Sequence, residues 1–584
     1  MPDIQTNTDS NNEIGGLVTY ALLVDGTAVS ESIEIVSIDV HQEINVITRA
    51  TIVIVDGEPE TEDFQISGSN LFLPGKKIEI SLGYDSTNVK VFKGIIISNS
   101  QKANDDSTLL TVECKDEAVK MTLDRSSKHY DNISATDIAE NLLSKYGIAN
   151  TDITPSTIPH KQLVQFNSCD WDFMISKLDA VGLMCILNNG ETRIKKIAAG
   201  PESADLAEFG FGDNIIEFDG NMDARVQSEN LKLLSWNYST QELEDEEVAI
   251  NQSNTGGVTT DDLGAGQSTT VRAAGKKETT EQQALAKTRK LREVLSRIKG
   301  TVKFFGRVAN PVLPGDFIRL NGLGANFNGS IFVSAVDHDY SDGNWTSTAT
   351  LGWNEKYFAE QVNPASETAS SGELAAVQGL QTGIITDIID IDGDFRVKLR
   401  LPMVDNQQDG VYARLATLDA GNKRGTFFMP EISDEVVVGF MNNDPNQPVI
   451  LGMLHSNKNA APLDPENAND KKGYVSRSEI KIIIDDGEKS ITIETPGGNV
   501  FSMNDTENKI SLKDSNGNKI TMEQSGITIE SSSALTLKAG STLSISAPQL
   551  SAKADGELNL EGGGTTTVSS SGSLTIQGSV VSIN

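Results

Sequence analysis

The chain has 584 residues, with 48 Lys and Arg against 82 Asp and Glu, and a formal net charge of -34. This length predicts about three or four domains, and the charge argues against a nucleic-acid binder, because phosphate contacts require an excess of Lys and Arg. The cysteines Cys114, Cys169 and Cys185 lie far apart, which predicts small buried side chains rather than a disulfide framework or a zinc site.

The N-terminus predicts a polar arm over residues 1–16, because it lacks the apolar segment of a secretory signal peptide. No window approaches the roughly 18 consecutive apolar residues of a membrane span. We therefore expect a protein that is made in the cytoplasm without a signal peptide.

β-branched runs bounded by Gly, Asp and Asn predict a first tube-like β domain over residues 17–120. An α+β hub region over 121–300 follows, since residues 134–148, 170–183 and 278–300 carry apolar residues at helical spacing and end at or beside glycine. The fold class is therefore mainly β with an α+β insertion.

An internal echo predicts a second tube-like β unit over residues 301–361. LPGKKIEI (73–80), FKGIIIS (92–98) and STLLTV (107–112) recur in order as LPGDFIRL (313–320), FNGSIFVS (327–334) and WTSTATL (345–351). Each copy opens a strand with Leu-Pro-Gly and the next strand with an aromatic residue two positions before glycine. An ordered trio at similar spacing favours two related β units.

Two linkers flank a compact β domain. Residues 362–377 are rich in Ser, Ala and Glu and lack periodicity, which indicates the first linker. Residues 378–456 contain about five short strand patterns, which fit a small OB-type barrel. Residues 457–478 are polar and predict the second linker.

From residue 479 the sequence repeats pairs of apolar residues two positions apart, separated by Gly, Ser, Thr, Asn and Asp. Such a pair places both side chains on one face of a short strand. Successive pairs from Ile520 onward are mostly seven or eight residues apart. A repeat this short cannot enclose a core within one chain, so we predict a homotrimeric triple-stranded β-helix, or β-prism, over 479–584. An exposed amyloid-like array is the rival interpretation. The predicted trimer core consists of Ile482, Ile484, Ile491, Ile493, Ile510, Leu512, Ile520, Met522, Ile527, Ile529, Leu535, Leu537, Leu543, Ile545, Leu558, Leu560, Leu574 and Ile576.

The last residues predict a blunt contact surface at the end of this needle. No charged residue occurs from Gly562 onward, and no aromatic residue occurs after Phe501. A flexible Ser/Gly tail is the alternative, but apolar pairs continue to the end of the sequence. The residues predicted to contact a tip protein are Val580, Val581, Ser582, Ile583 and Asn584.

The stretch 412–462 resembles the OB domain of VgrG-type central spike proteins of contractile injection systems, and the order of parts resembles that family over nearly the whole chain. SCDWDFMISKLDAVGL (168–183) is also similar to the hub helix of that family. The OB motif falls on Pro430, Glu431, Asp434, Glu435, Gly439, Asp444, Pro445, Pro448 and Gly452.

The resemblance implies a homotrimer with two tube-like β-barrels per chain in its hub. It implies a structural role that joins the inner tube to the baseplate and pierces the target envelope. The implied partners are a PAAR-type tip protein, the inner tube and baseplate proteins, effector cargo and, transiently, the target membrane. The particle would be cytoplasmic, membrane-anchored or released. Some secretion-system members carry an effector domain after the needle, and we expect none here, which favours a phage-tail-like particle.

Enzymatic interpretations have little support in the sequence. The acidic run ELEDEE (242–247) is expected to be a solvated loop, and His338, in VDHDY, to lie in a polar hairpin. The space at 457–478 is too short for the lysozyme domain of some phage spikes. We therefore expect no enzyme, no cofactor and no metal site. A trimeric β-helical adhesin or tailspike that binds surface glycan is the alternative, and a secreted effector would require a further domain.

Overall fold

The computed structural model describes residues 16–57, 63–104, 108–203, 205–237, 242–250, 258–259, 262–263, 266–272, 278–306, 311–362, 377, 379–405, 407–408 and 410–583. The chain divides into two compact units, Met1–Asn459 and Ala460–Asn584. The predicted N-terminal arm and first linker lie almost entirely outside the described residues.

The first unit is built mainly from strands. They are β1 Val18–Val24, β2 Thr27–Ala28, β3 Ile35–Glu43, β4 Arg49–Val55, β5 Lys77–Tyr84, β6 Thr87–Ala103, β7 Thr108–Lys115, β8 Arg125–Ser134, β9 Ala149–Ile153, β10 Pro159–Cys169, β11 Leu183–Asn188, β12 Glu191–Lys196, β13 Ala207–Gly210, β14 Ile215–Met222, β15 Asn230–Asn237, β16 Glu242–Val248, β17 Ser268–Arg272, β18 Ile298–Phe305, β19 Phe317–Asn321, β20 Gly329–Ser341, β21 Asn344–Leu351, β22 Gln381–Asp387, β23 Arg396–Arg400, β24 Val411–Leu415, β25 Ala420–Gly421, β26 Arg424–Gly425, β27 Glu435–Phe440 and β28 Pro448–Met453.

Four helices accompany these strands in the described part of the unit. They are α1 Ala135–Tyr146, α2 Asp170–Ala180, α3 Thr279–Leu295 and α4 Phe358–Val362, with 3-10 turns at Glu117–Thr122 and Met441–Asn443. The caps predicted for α1 are confirmed: Asp137 N donates to the Ser134 hydroxyl, and Gly147 adopts a left-handed conformation with φ 68°.

One large sheet joins both predicted β units. Its strand order is β14-β18-β21-β20-β3-β4-β7-β6-β5-β1-β2, and β19 adds to β20 and carries β13. The pairing of β20 with β3 connects the two halves. Each half keeps its own core, one around Ile52 and Phe92 and one around Val302 and Ile331. The closure of each half into a separate barrel stays a prediction.

Two sequence predictions in this region were wrong, and a third was right in part. The third helix ends at Leu295 rather than near residue 300, because Ile298 already pairs with Met222 in the large sheet. The acidic run 242–247 is not a loop but lies in β16, which pairs with β15. His338 lies in the predicted hairpin, which β20 and β21 form, but within β20, three positions before its end at Ser341, and not in the turn.

The internal echo is confirmed by matching hydrogen bonds. Gly75 N donates to the Ile96 carbonyl at 2.8 Å, and Ile96 N donates to the Lys76 carbonyl at 2.9 Å. In the second copy Gly315 N donates to the Val333 carbonyl at 2.8 Å, and Val333 N donates to the Asp316 carbonyl at 2.9 Å. The two glycines have φ values of 95° and 91°, a conformation that glycine adopts without strain.

A buried ion pair holds α2 against α3. The side chains of Asp179 and Arg292 are each 1% exposed, and Arg292 Nε lies 3.0 Å from Asp179 Oδ1. Arg292 Nη1 also donates to the carbonyls of Asn354 and Lys356 at 2.9 and 2.7 Å. Phe358 N, at the start of α4, donates to Asp179 Oδ2 at 2.8 Å. The pair therefore fixes two helices and the segment that leads into a third.

The predicted OB barrel is confirmed as a closed five-stranded barrel of β22, β23, β24, β28 and β27. Its core contains Val397, Leu399, Val436 and Ile450, each less than 1% exposed. The strands alternate inward apolar side chains with outward ones, which is the pattern a small barrel requires.

The second unit contains an antiparallel meander. Its strands are β29 Lys471–Val475, β30 Lys481–Asp485, β31 Ser490–Glu494, β32 Val500–Asn504, β33 Lys509–Lys513, β34 Lys519–Glu523 and β35 Gly526–Glu530. The first of these strands lies in the predicted linker 457–478, so that linker is shorter than predicted. Its pairing with β30 explains the difference.

We predict that Asp179→Ala lowers the free energy of unfolding of the first unit by about 3–5 kcal/mol, because it leaves the buried Arg292 guanidinium without a counter-charge. Chemical denaturation of the full chain measures this change. Arg225→Ala is the control, since its ion pair with Asp223 is exposed and its loss should leave stability unchanged. Equal effects of the two substitutions would contradict the assignment.

Asp39 in β3 lies directly opposite Asp339 in β20. Partial burial, and then hydrogen bonding and repulsion from Asp339, raise the pKa of Asp39 to about 6. The protonated form is favoured in the folded state, so stability falls as the pH rises toward and through 6. We predict that Asp39→Asn raises the melting temperature more at pH 8 than at pH 5. The effect is about 1 kcal/mol or less, because the carboxyl groups are partly hydrated. Asp219→Asn, opposite Thr301, should show no such difference.

Candidate functional site: assembly surfaces

An apolar ladder covers one face of the meander in the second unit. Ile482 pairs with Ile493, and Ile484 pairs with Ile491. The same two columns continue through the following strands as Phe501 and Met503, Ile510 and Leu512, Ile520 and Met522, and Ile527 and Ile529. The in-chain register therefore aligns the predicted apolar pairs into one continuous surface.

The opposite face of the same strands is rich in hydroxyl groups. Thr492, Ser502, Ser511, Thr521 and Thr528 follow one another across the sheet, with Ile483 at its start. This difference between the faces gives the meander a defined apolar side. Aliphatic residues on that side remain 38% exposed at Ile493, 52% at Leu512 and 69% at Ile527. An exposed apolar surface of this continuity marks an interaction site.

Residues 531–583 form no strand within the chain, and their side chains are exposed. This segment contains the remaining predicted core residues Leu535, Leu537, Leu543, Ile545, Leu558, Leu560, Leu574 and Ile576 and the tip residues Val580, Val581, Ser582 and Ile583. Asn584 lies outside the described residues. Their assignment to a trimer core and a tip contact stays a prediction.

The OB motif residues shape turns and barrel strands. Asp434 Oδ2 accepts from Glu431 N at 2.9 Å, just before β27 begins at Glu435. Asp444, 0% exposed, accepts from Asn446 N at 2.9 Å in the turn between β27 and β28. Pro430, Pro445, Pro448 and Gly439 are buried, and Gly452 lies in β28. These residues serve the fold of the barrel rather than a chemical site.

A joint between the hub and the OB barrel was not predicted from the sequence. It is formed by the two-stranded antiparallel sheet of β8 and β10, in which Val164 of β10 packs into the barrel core. Tyr412 N donates to Gln162 Oε1 at 3.0 Å, and Val164 N donates to Asn446 Oδ1 at 2.9 Å. Gln162 Nε2 donates in turn to the Asn446 carbonyl at 3.2 Å. Two neutral amides thus fasten this sheet to the barrel, together with an ion pair in which Lys161 Nζ lies 3.6 Å from Asp392 Oδ2.

A cleft of about 840 Å³ lies along this joint. Its hub wall includes His160, whose Nδ1 lies 2.5 Å from Glu281 Oε1, and its barrel wall includes Arg396 and Tyr412. Arg396 pairs with Asp390 at 2.8 Å, and this arginine lowers the pKa of Asp390 to about 2. Acidic and basic side chains alternate around the cleft, so its electrostatics select no single ligand class.

The residues considered for catalysis do not meet in one site. The acidic run lies on β16, where Asp245 pairs with Lys232 at 2.7 Å. His338 Nδ1 lies 2.8 Å from the Ser347 hydroxyl, and burial lowers the pKa of His338 to about 4. In the described ranges, no three or more His, Cys, Asp or Glu side chains are grouped as metal ligands. All three cysteines are buried and unpaired, as predicted.

Family models match the three parts of this architecture. The model described as the Alg8 N-terminal domain matches residues 14–342, more than half of the sequence. The chain belongs to this family. The type VI secretion system/phage-baseplate injector OB domain matches residues 381–455, and the phage baseplate V C-terminal trimerisation domain matches residues 490–584. These matches, together with the relatives below, confirm the predicted resemblance to VgrG-type spike proteins.

Curated relatives share short segments with this member of the family. The type VI secretion system spike protein VgrG3 of Vibrio cholerae serotype O1 is 35% identical over 71 residues, which are 12% of this chain and 7% of that protein. VgrG5 of Pseudomonas aeruginosa is 33% identical over 101 residues, 16% of this chain and 13% of that protein. The matches therefore span only a small part of each relative's length.

The likeness in fold covers far more of this chain than the matching sequence segments do. The Francisella PdpA-VgrG complex in its half-lidded form contains a chain with a TM-score of 0.55 and 9% identity, and the likeness covers 88% of both chains. At this identity the likeness shows a common fold. No helix among the described residues is long and apolar enough to span a membrane.

We predict that Asn446→Ala weakens the hub–barrel joint by about 1–3 kcal/mol, because it leaves the buried Val164 amide without its acceptor. Limited proteolysis of the full chain should cut strand β10 (159–169) faster in this variant. Gln407→Ala, at an exposed position of the barrel, is the matched control and should match the parent chain. Unchanged cleavage of the Asn446 variant would contradict this role.

Proposed function

We propose that the chain is the structural hub and spike of a contractile injection system, of the type VI secretion or phage-tail-like kind. The observation that carries this proposal is the order of parts in one chain, an injector OB domain followed by a trimerisation domain, within a fold shared with a chain of the Francisella PdpA-VgrG complex. In this role the protein joins the inner tube to the baseplate and transmits force to the target envelope.

The apolar ladder supports a homotrimer in the second unit. A flat apolar face of five-residue strands cannot be covered by its own chain, whereas three copies around a threefold axis bury the three ladders against one another. Beyond Glu530 the backbone forms no in-chain strand, and strands contributed by neighbouring copies would supply its hydrogen-bond partners. A triple-stranded β-helix satisfies both requirements.

Free sheet edges support a trimeric hub. Among the described strands, β14 pairs only with β18, and the first residues of β1 pair only with β5. Ten strands lie on the path from β14 to β1, and each neighbouring pair is antiparallel. Because ten is even, the two edge strands run in opposite directions. One copy's β1 can therefore extend the next copy's β14 as an antiparallel pair, and three copies can close a ring.

The remaining partners are proposed from the surface chemistry and the family likeness. The uncharged end around Val580–Ile583 suits a PAAR-type tip protein, and the hub suits the inner tube and baseplate proteins. We also propose effector cargo as a partner and a brief contact of the protein with the target membrane. We place the protein in a particle that is cytoplasmic, membrane-anchored or released, and we assign it no enzymatic activity and no cofactor.

A glycan-binding adhesin or tailspike is less well supported. Protein surfaces that bind sugars use aromatic side chains, and the ladder contains Phe501 as its last aromatic residue. The aliphatic pairs that follow favour packing against copies of the chain.

We predict that the double variant Ile510→Asp and Leu512→Asp abolishes the trimer, because it places six carboxylates in the three-chain core. Mass photometry of the purified chain measures the oligomeric state, and electron microscopy of the parent chain should show a trimer with an elongated needle. Ser511→Asp changes the same strand on its hydroxyl face and should leave the trimer intact.

Two results would contradict the proposal. The parent chain could be a monomer, or Ser511→Asp could dissociate the trimer while the double variant does not. The second result would place the hydroxyl face, rather than the ladder, at the threefold axis.

A further inference from the structure

His129 is a buried titratable group in the joint between the hub and the OB barrel. It lies on β8 and is 1% exposed. Neither of its ring nitrogens has a hydrogen-bond partner among the described residues. Burial lowers its pKa below that of a free histidine, because an imidazolium ion is poorly tolerated away from water.

The strand register places His129 on the face that meets the barrel. His129 pairs directly with Val164 of β10, whose side chain belongs to the barrel core. Directly opposed residues of antiparallel strands project to the same side. The next residue, Tyr130, points the other way and stacks on Phe173 in the hub core, with ring centroids 5.5 Å apart.

The charged groups around His129 are few. Asp131 on its own strand and Asp405 in the barrel both favour the imidazolium form, but burial outweighs them. On the facing strand β10, Gln162 and Val164 carry no charge. Lys128, the preceding residue, alternates to the opposite face and lies 4.9 Å from the Tyr130 ring centroid.

The joint also has a route for water. Asp131 lies two residues after His129 on β8, and its partner Gln162 lies opposite it on β10. Both residues line the 840 Å³ cleft between hub and barrel. The polar bonds of the joint come from the neutral amides Gln162 and Asn446 and from an exposed ion pair, in which Lys161 Nζ lies 3.6 Å from Asp392 Oδ2. Such bonds are individually modest, so a new charge beside them can shift the balance of the joint.

We propose that the docking of the β8–β10 sheet on the OB barrel is a proton-controlled joint, in which charging of His129 loosens the barrel from the hub. The docked state holds the imidazole neutral, and the open state exposes it to water. The open state therefore binds the proton more tightly, and acidification through the ordinary pKa of histidine, about 6.5, favours opening. The joint remains closed at neutral pH.

His160, on β10 of the same two-stranded sheet, provides an internal comparison. Its Nδ1 lies 2.5 Å from Glu281 Oε1, so a positive charge on this ring meets a carboxylate in the closed state. The two histidines differ in their partners although both are buried.

Hydrogen exchange of the full-length assembly tests the proposal at pH 7.5 and 5.0, with rates corrected for the intrinsic chemistry of the amide. In the parent chain, amides of 159–169 and 411–415 should open about tenfold more at pH 5.0, one factor of ten per unit of proton linkage. Helix α1 serves as the internal reference and should keep its protection. His129→Leu should remove the increase, and His129→Gln provides a second neutral side chain if the first variant does not fold.

Two further variants sharpen the result. Asp405→Asn removes a carboxylate that favours the imidazolium, so it should increase the opening at pH 5.0 beyond that of the parent. His455→Leu, at an exposed histidine, should behave like the parent chain. The proposal is overturned if the parent shows no acid-induced opening, or if the same opening persists in both His129 variants.

Discussion

Backbone hydrogen bonding is the constraint on which this structure depends. A strand is stable only when its N–H and C=O groups find partners. Up to Glu530 the chain supplies partners for its strands from within, first in one large sheet, then in a closed barrel, and finally in a meander of five-residue strands. From residue 531 onward it forms no in-chain strand. Association with further copies is the simplest physical answer to that change.

The hub is held together by contacts of a different kind. The large sheet has two separate cores beneath it, and the β3–β20 pairing joins them. Asp179 and Arg292 then fix the helices by a buried ion pair that is supported by backbone groups of the segment before α4. Buried charges are stable only with such full sets of partners. The barrel is attached through the two-stranded sheet of β8 and β10, with the neutral amides of Gln162 and Asn446, the ion pair of Lys161 with Asp392 and the buried His129 at the contact.

Local signals in the sequence predicted the elements well. Ser134 and Gly147 bounded α1, the Leu-Pro-Gly echo identified two equivalent strand openings, and the spacing of apolar pairs identified the columns of the ladder. Where a local signal failed, a distant partner was responsible. The helix predicted to reach residue 300 ends at Leu295, because Ile298 pairs with β14 in the large sheet. The acidic run forms a strand, because it pairs with β15.

The sequence by itself determined the order of the OB and trimerisation domains, the apolar pairs of the ladder and the resemblance to a spike family, because these depend on composition and on spacing between near neighbours. Only the tertiary structure decided the joint between hub and barrel and the pairing of β3 with β20. Gln162 and Asn446 are 284 residues apart, and Asp39 meets Asp339 only through the pairing of β3 with β20. The register of distant strands and the burial of a single histidine depend on the whole packed fold, so no local pattern in the sequence could reveal them.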